Sequence, residues 1–333
     1  MNNRINISME KHGVVGASLA VLEQADVKIY HLGKQSSTQE KLVNDETLFN
    51  ACSMSKFVTA FLVLILTRED KVSLDEDVSE IVNASGIPKQ GQVTSLTLRD
   101  LLRHQAGIID ADNRFLPLNE VEEIPKFQER LSGADTMAHL DTTKTGEFIY
   151  SDGSYCLIEY IVEQKMEDSF QNIVEQYLFK PLKMTRSTYD WLALEGQLNR
   201  TAGHSKDGRA LSLAETIYPY AAASGLWTTA VDLSKLLHEW YQISQGKGLG
   251  LSTTDMTNLI TGSHKHPYAG LGLFIENRDK GIEINSLGWG VGFQSMLIYQ
   301  PNSSKGLIIL TNTDLGKHQL KGFIGDIYQQ FNG

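Results

Sequence analysis

Phe49-Asn50-Ala51-Cys52-Ser53-Met54-Ser55-Lys56 runs directly into Phe57-Val58-Thr59-Ala60-Phe61-Leu62-Val63-Leu64-Ile65-Leu66. The apolar run reads as a long buried helix, and Ser53 stands at its start. Ser53 and Lys56 are three apart, so on a helix they share one face, one turn from each other. A hydroxyl at a helix start also sits in the positive field of the unpaired N–H groups. An un-ionised hydroxyl needs an adjacent base to act as a nucleophile, and an amine one turn away can supply it. The bland alternative is an N-cap serine beside a solvated lysine.

The pattern Ser-x-x-Lys occurs three times: Ser8–Lys11, Ser53–Lys56 and Ser244–Lys247. The first lies near the N-terminus and the third in the loop-like Gln245-Gly246-Lys247-Gly248. Only the middle copy opens a long apolar helix, and spacing alone does not make it catalytic.

Outward from this helix the chain reads in three stretches. Val14 to Leu22 and Val27 to Leu32 predict a hairpin across Glu23-Gln24-Ala25-Asp26, so the first stretch reads as β-rich. The middle, 71–204, carries mostly helical periodicity, with helices expected over Thr97 to His104, Val121 to Leu131, Ser154 to Met166 and Phe170 to Phe179. The last stretch returns to strands, over Tyr268 to Glu276, Gly281 to Asn285, Phe293 to Tyr299 and Gly306 to Leu310. A closing helix is expected over Gln319 to Phe331, with an apolar stripe of Leu320, Phe323, Ile324 and Ile327. The expected fold is an α/β (α+β) domain from residues 1–70 and 205–333, an antiparallel β-sheet flanked by helices. A mostly helical domain, 71–204, is inserted into it, with the active site at the interface.

Composition bounds the class. The 333 residues are ample for a large core, and 41% hydrophobic with 21% charged is a globular balance. The net charge of -10 argues against a nucleic-acid partner. Two cysteines, Cys52 and Cys156, are no disulfide framework and read as small buried hydrophobes. The N-terminus carries no apolar signal core, and no apolar run reaches membrane-spanning length. As it stands the sequence reads as cytoplasmic; a secreted or cell-envelope form with its leader removed would look similar. Oligomeric state is left open.

Further segments match one family in order. Leu96-Thr97-Leu98-Arg99-Asp100-Leu101-Leu102-Arg103-His104-Gln105-Ala106-Gly107, Tyr150-Ser151-Asp152-Gly153-Ser154-Tyr155, Pro181-Leu182-Lys183-Met184, Ala222-Ala223-Ser224-Gly225-Leu226-Trp227-Thr228-Thr229 and Gly288-Trp289-Gly290-Val291-Gly292-Phe293-Gln294-Ser295 follow the Ser53–Lys56 pair. Together they resemble the serine β-lactamase and penicillin-binding-protein superfamily on its class C side, which includes D-alanyl-D-alanine peptidases and esterases. The resemblance runs nearly end to end and implies the same fold, with no cofactor and no metal.

The resemblance implies roles. Ser53 would be the nucleophile, and Lys56 and Tyr150 the proton-transfer pair. A free lysine titrates near pKa ~10.4, so Lys56 needs desolvation to act as a base, or stays cationic beside Tyr150. The backbone N–H groups of Ser53 and Trp289 would form the oxyanion pair. Trp289 could also wall the acyl pocket or pack in the core.

Two substrate-side positions depart from the family pattern. Asp152 stands where asparagine is usual; an ionised aspartate can only accept hydrogen bonds, or pair with Lys56. Ser286-Leu287-Gly288 stands where Lys-x-Gly or His-x-Gly is usual, so the cation that would hold a substrate carboxylate is missing. Lys144-Thr145-Gly146 spells the third motif but precedes Tyr150, and reads as a turn.

His264-Lys265-His266 is a close histidine pair without further ligands and reads as a solvated loop rather than a zinc site. His104 reads as structural. No glycine-rich loop has Walker spacing. The leading expectation is a serine hydrolase acting through a Ser53 acyl-enzyme on an ester, a small amide or a D-amino-acid peptide, with little β-lactamase activity. The competing class is a catalytically impaired penicillin-binding or ligand-sensing protein on the same fold.

Overall fold

A computed structural model describes residues 2–93, 95–111, 117–118, 137–248 and 250–332. Six strands form its main sheet: β1 (Gly16–Glu23), β2 (Asp26–Gly33), β3 (Phe274–Arg278), β4 (Gly281–Gly290), β5 (Phe293–Gln300) and β6 (Lys305–Thr311). They are ordered β2-β1-β6-β5-β4-β3, and every neighbouring pair is antiparallel. The N-terminal hairpin therefore pairs with the last strand, from Ala17↔Thr311 to Glu23↔Lys305.

Side-chain alternation divides the sheet into two faces. Ala20, Leu22, Leu297, Ile308 and Leu310 join the larger core. Ala17, Leu19, Val21, Met296, Ile298 and Ile309 join the smaller one. Because both faces are covered, β5 and β6 are nearly continuous apolar runs, which is why their limits could be read closely from sequence.

The smaller core is closed by α1 (Asn2–His12) and a C-terminal helix, Phe323–Asn332. The sequence reading of a β-rich first stretch missed α1. It contributes Ile5 and Met9 to this core, too few apolar positions for a periodic signal. The Ser8–Lys11 pair is spent on tertiary structure: both side chains donate to Asp326, each at 2.9 Å.

The larger core is centred on α2 (Ser55–Arg68), where only Ile65, Thr67 and Arg68 escape full burial. Phe57 stacks on Trp240, with ring centroids 6.4 Å apart, and Phe61 is fully buried. Truncating a phenylalanine in such a core costs about 3–5 kcal/mol. Trp240 lies on a further helix, Ala230–Ser244, which the sequence reading left out. Its start is capped by Thr229, whose hydroxyl accepts from the Asp232 N–H.

Other boundaries also move. The helix expected over Thr97 to His104 is α3 (Leu98–Leu102), held by a Thr97/Asp100 capping box and ended before His104, which has φ +58°. The helix expected from Ser154 is α4 and starts at Asp152, running to Met166. Phe170–Phe179 divides into an α-helical turn, Phe170–Val174, and a π-turn, Glu175–Phe179. The strand expected from Tyr268 begins only at Phe274. The closing element is a 3₁₀ turn, Gln319–Lys321, then the helix from Phe323; Leu320 is partly exposed and outside the stripe. The helix expected over Val121 to Leu131 lies outside the described residues.

Candidate active site

Ser53 sits in a single 3₁₀ turn, Cys52–Met54, that leads into α2. The residue before it, Cys52, has φ +51°, a left-handed conformation that costs energy in a non-glycine residue. Neighbouring groups hold it there. The Asn50 side-chain oxygen accepts the Cys52 N–H at 2.7 Å, while the Asn50 amide donates to the Thr216 carbonyl. Ser55 donates to the Cys52 carbonyl and accepts the Leu226 N–H, which closes the turn.

Lys56 is 2% exposed. Its Nζ lies 3.2 Å from Ser53 Oγ, donates to the Ala223 carbonyl at 2.9 Å and is ion-paired with Asp152 Oδ1. It also lies 5.1 Å from the Tyr150 ring centre and 5.5 Å from that of Tyr155. Burial pulls the ammonium toward neutrality. The Asp152 carboxylate and Tyr150 outweigh it, so Lys56 holds its proton more tightly than a free lysine.

Tyr150 and Asp152 are placed by the start of α4. Ser151 is the N-cap, accepting the Ser154 N–H. Asp110, on the short strand Ile108–Asp110, reaches across to the same helix end. It accepts from Ser151 Oγ (2.6 Å), Asp152 N (2.7 Å) and Gly153 N (3.0 Å). Burial, helped by the Asp152 charge, still raises the Asp110 carboxyl above its usual range despite these bonds. Nothing in the sequence motifs singled out Asp110; its role follows from meeting a helix terminus distant in sequence.

Tyr150 is 42% exposed and stacks on His104, with ring centres 4.5 Å apart and planes 29° apart. His104 is buried, and its Nδ1 accepts the Ser151 N–H at 3.1 Å. Burial and then the Lys56 charge lower its pKa from 6.5 to about 3, so it is a neutral ring. The expected structural role of His104 is thus specific: it backs Tyr150. His266 departs from the expected solvated loop. It is half-buried and its Nε2 accepts the Phe148 N–H at 3.2 Å. No group of three metal-ligating side chains occurs among the described residues.

The opposite side is β4. Ser286 is buried and pairs with Leu297. Gly288 packs where a Cβ would lie 2.2 Å from both the Ala51 carbonyl oxygen and Ser295 Oγ, so no larger residue fits. Trp289 is 45% exposed, and its Nε1 donates to Asp314 at 2.9 Å. Its indole lies at the surface rather than in the core. Tyr218, whose hydroxyl accepts the Val291 N–H, adjoins this rim. In Lys144-Thr145-Gly146, Lys144 ends a 3₁₀ segment, Thr142–Lys144, and Thr145 and Gly146 form the turn that follows, so the triplet is not on β4.

Ser53, Lys56, His104, Phe148, Tyr150 and Ser286 line one recess of about 20 Å³, room for about one water. A hydroxyl, a buried ammonium, a phenol and a second hydroxyl thus converge from α2, the start of α4 and β4. That is the equipment of acyl transfer.

A family profile described as Beta-lactamase matches residues 1–323. The chain belongs to the beta-lactamase family. Its members are serine hydrolases. Protein flp of Staphylococcus aureus (strain N315) is 23% identical over 325 residues, covering 92% of this chain and 61% of that protein. The teichoic acid D-alanine hydrolase of S. aureus (strain MRSA252) is 22% identical over 234 residues, covering 70% of this chain and 56% of that one. The chain therefore spans about three fifths of the length of these curated relatives. A solved class C beta-lactamase superposes with a TM-score of 0.77 at 20% identity, covering 100% of this chain and 96% of that one. The family fold agrees with the antiparallel sheet and flanking helices expected from sequence. No helix among the described residues is long and apolar enough to cross a membrane.

Proposed function

We propose that this protein hydrolyses short neutral esters or small amides, including D-amino-acid derivatives, through an acyl-enzyme on Ser53. The observation that carries the reading is the position of Lys56 Nζ, 3.2 Å from Ser53 Oγ, inside a recess that Tyr150 also lines. Ser53 attacks the carbonyl, Lys56 and Tyr150 manage its proton, and the backbone N–H groups of Ser53 and Trp289 receive the oxyanion. Ser286, which lines the recess, offers a hydroxyl but no cation for a substrate carboxylate. Turnover of penicillins and cephalosporins is accordingly poor. The staphylococcal relative is named a teichoic acid D-alanine hydrolase, and D-alanine derivatives are among the proposed D-amino-acid substrates.

A second reading, a ligand-sensing protein that is acylated but turns over slowly, is favoured by the Lys56–Asp152 ion pair, which opposes loss of the lysine proton. Mass spectrometry after incubation with a fluorophosphonate and with a labelled penicillin separates the readings. A hydrolase adds the fluorophosphonate at Ser53 and turns over p-nitrophenyl butyrate. A sensor holds a stable penicilloyl adduct without turnover. Absence of any adduct at Ser53 defeats both.

A further inference from the structure

Building on the hydrolase reading above, we infer that Asp152 is a positioning residue that keeps Lys56 a permanent ammonium, so that the Ser53 proton leaves through Tyr150 rather than through the lysine. Three of the contacts of Lys56, with Ala223, Asp152 and Ser53, carry the inference. Ala223 O and Asp152 Oδ1 can only accept, so each takes one lysine proton. The third neighbour, Ser53 Oγ, can donate or accept. A neutral lysine could therefore meet the same geometry by accepting from Ser53, and counting hydrogen bonds alone does not choose.

Charge chooses. Lys56 is 2% exposed and Asp152 is the carboxylate in contact with it. A neutral lysine would leave that carboxylate uncompensated beside a buried amine, the more costly state. The usual asparagine carries no charge and sets no such condition. The other groups facing Lys56 do not reverse this. Tyr150 favours the ammonium, while Tyr155 is held protonated by burial. His104 is neutral, and Cys52 is a buried thiol pushed far up. Behind Asp152, Asp110 adds negative charge wherever it is ionised. Tyr218, on the rim, is kept protonated by burial.

The step balances without the lysine changing charge. In one concerted relay the Ser53 Oγ–H bond breaks as Oγ bonds to the substrate carbonyl carbon, and the proton passes to Tyr150 Oη. Tyr150 in the same motion gives its own proton to the leaving oxygen or nitrogen, whose bond to carbon then breaks, so the phenol never carries two protons. Lys56 stabilises the oxygens of Ser53 and Tyr150 throughout and keeps all three protons.

The experiment is the pH profile of kcat/KM for p-nitrophenyl butyrate, for wild type and Asp152→Asn. An NMR titration of the Lys56 amine in the wild type accompanies it. The inference expects the wild-type amine to stay charged to about pH 10, above the range of a desolvated lysine. Asp152→Asn should lose activity progressively above about pH 8, reaching a tenfold or greater deficit by about pH 9, because its unpaired lysine discharges. Faster turnover by Asp152→Asn at neutral pH would mean that the neutral lysine is the base, and overturns the inference. So does an unchanged profile, or a uniform loss at every pH, which is the mark of a merely structural role. If Asp152→Asn does not fold, the wild-type titration decides: a Lys56 amine that discharges below about pH 9 overturns the inference. Failure of the hydrolase reading is separate and shows as no fluorophosphonate adduct at Ser53 in the wild type, whatever the lysine titration gives.

Discussion

On the helical side of the recess, the polar groups lining it are tied to one another. Lys56 meets Ser53, Asp152 and Ala223, Asp110 caps the start of α4, and His104 backs Tyr150 while accepting from Ser151. On the strand side, β4 offers Ser286, Gly288 and Trp289, and Ile284 to Gly290 contains no charge at all. On the proposed function the first side moves a proton, and the second lets the chain's own backbone at Ala51 approach closely. Gly288 fits against Ala51 because it lacks a side chain. On the proposed function, chemistry belongs to the helical side and substrate choice to β4, through what it lacks.

The largest effect should come from the nucleophile. Ser53→Ala should lower hydrolysis of activated esters by on the order of 10⁴-fold or more and abolish covalent labelling. Its circular dichroism and melting temperature should match the wild type, since Ser53 is only half-buried. Labelling at the wild-type level in a folded Ser53→Ala protein would remove the helical side from the chemistry altogether.

Next in size are Lys56→Ala and Tyr150→Phe, each expected to slow acylation by on the order of 10³-fold. If the two form one proton-transfer unit, the double variant falls little below the worse single one. Single-turnover acylation measures this. Losses that simply add in free energy would separate the two groups and break the picture of a connected wall.

The same wall should show in acid stability. His104 has a pKa of about 3 when folded and 6.5 when unfolded, so the unfolded chain binds the extra proton between those values. Stability is therefore complete above pH 6.5 and falls as pH drops toward the folded value, by about 2 kcal/mol at about pH 5. His204, also held below its usual value by burial, adds in the same direction. Urea unfolding across this range should give a shallower slope for His104→Gln than for wild type. An equal slope would place the histidine outside the network.

Legibility from sequence followed the same division. Ser53 and Lys56 stood out by local spacing, one turn of helix, whereas Tyr150 and Asp152 stood out through the family resemblance of the segment Tyr150 to Tyr155. β5 and β6 were legible because a strand buried on both faces is an unbroken apolar run. Asp110 was invisible, since a cap supplied from 42 residues away leaves no periodic trace. α1 offers only Ile5 and Met9 to its core, too few for a stripe, whereas the helix Ala230–Ser244 carries one in Leu233, Leu236, Leu237, Trp240 and Ile243 that the expected elements did not include. His266 was misread because its partner, the Phe148 N–H, comes from another segment. What tertiary structure assembles from isolated polar residues is what sequence pattern conceals.

The smallest expected effect tests the strand side. An oxyanion site made of backbone N–H groups does not depend on the Ser286 side chain, whereas a carboxylate anchor does. Ser286→Lys and Ser286→His place a cation on β4 beside the recess. A charge-assisted hydrogen bond to a substrate carboxylate is worth about 1.5–3 kcal/mol, and an anchor added without its surroundings should recover the lower end, about tenfold in kcat/KM. The comparison is nitrocefin, which carries a carboxylate, against p-nitrophenyl butyrate, which does not. Nitrocefin turnover should rise about tenfold while the butyrate changes less than about twofold. A new ammonium also stands near Lys56, so some fall in ester turnover by repulsion is consistent with the idea, but a rise is not. Equal gains for both substrates would show that Ser286 acts on the chemistry rather than on the carboxylate. The division between a catalytic wall and a selective one would then have to be abandoned.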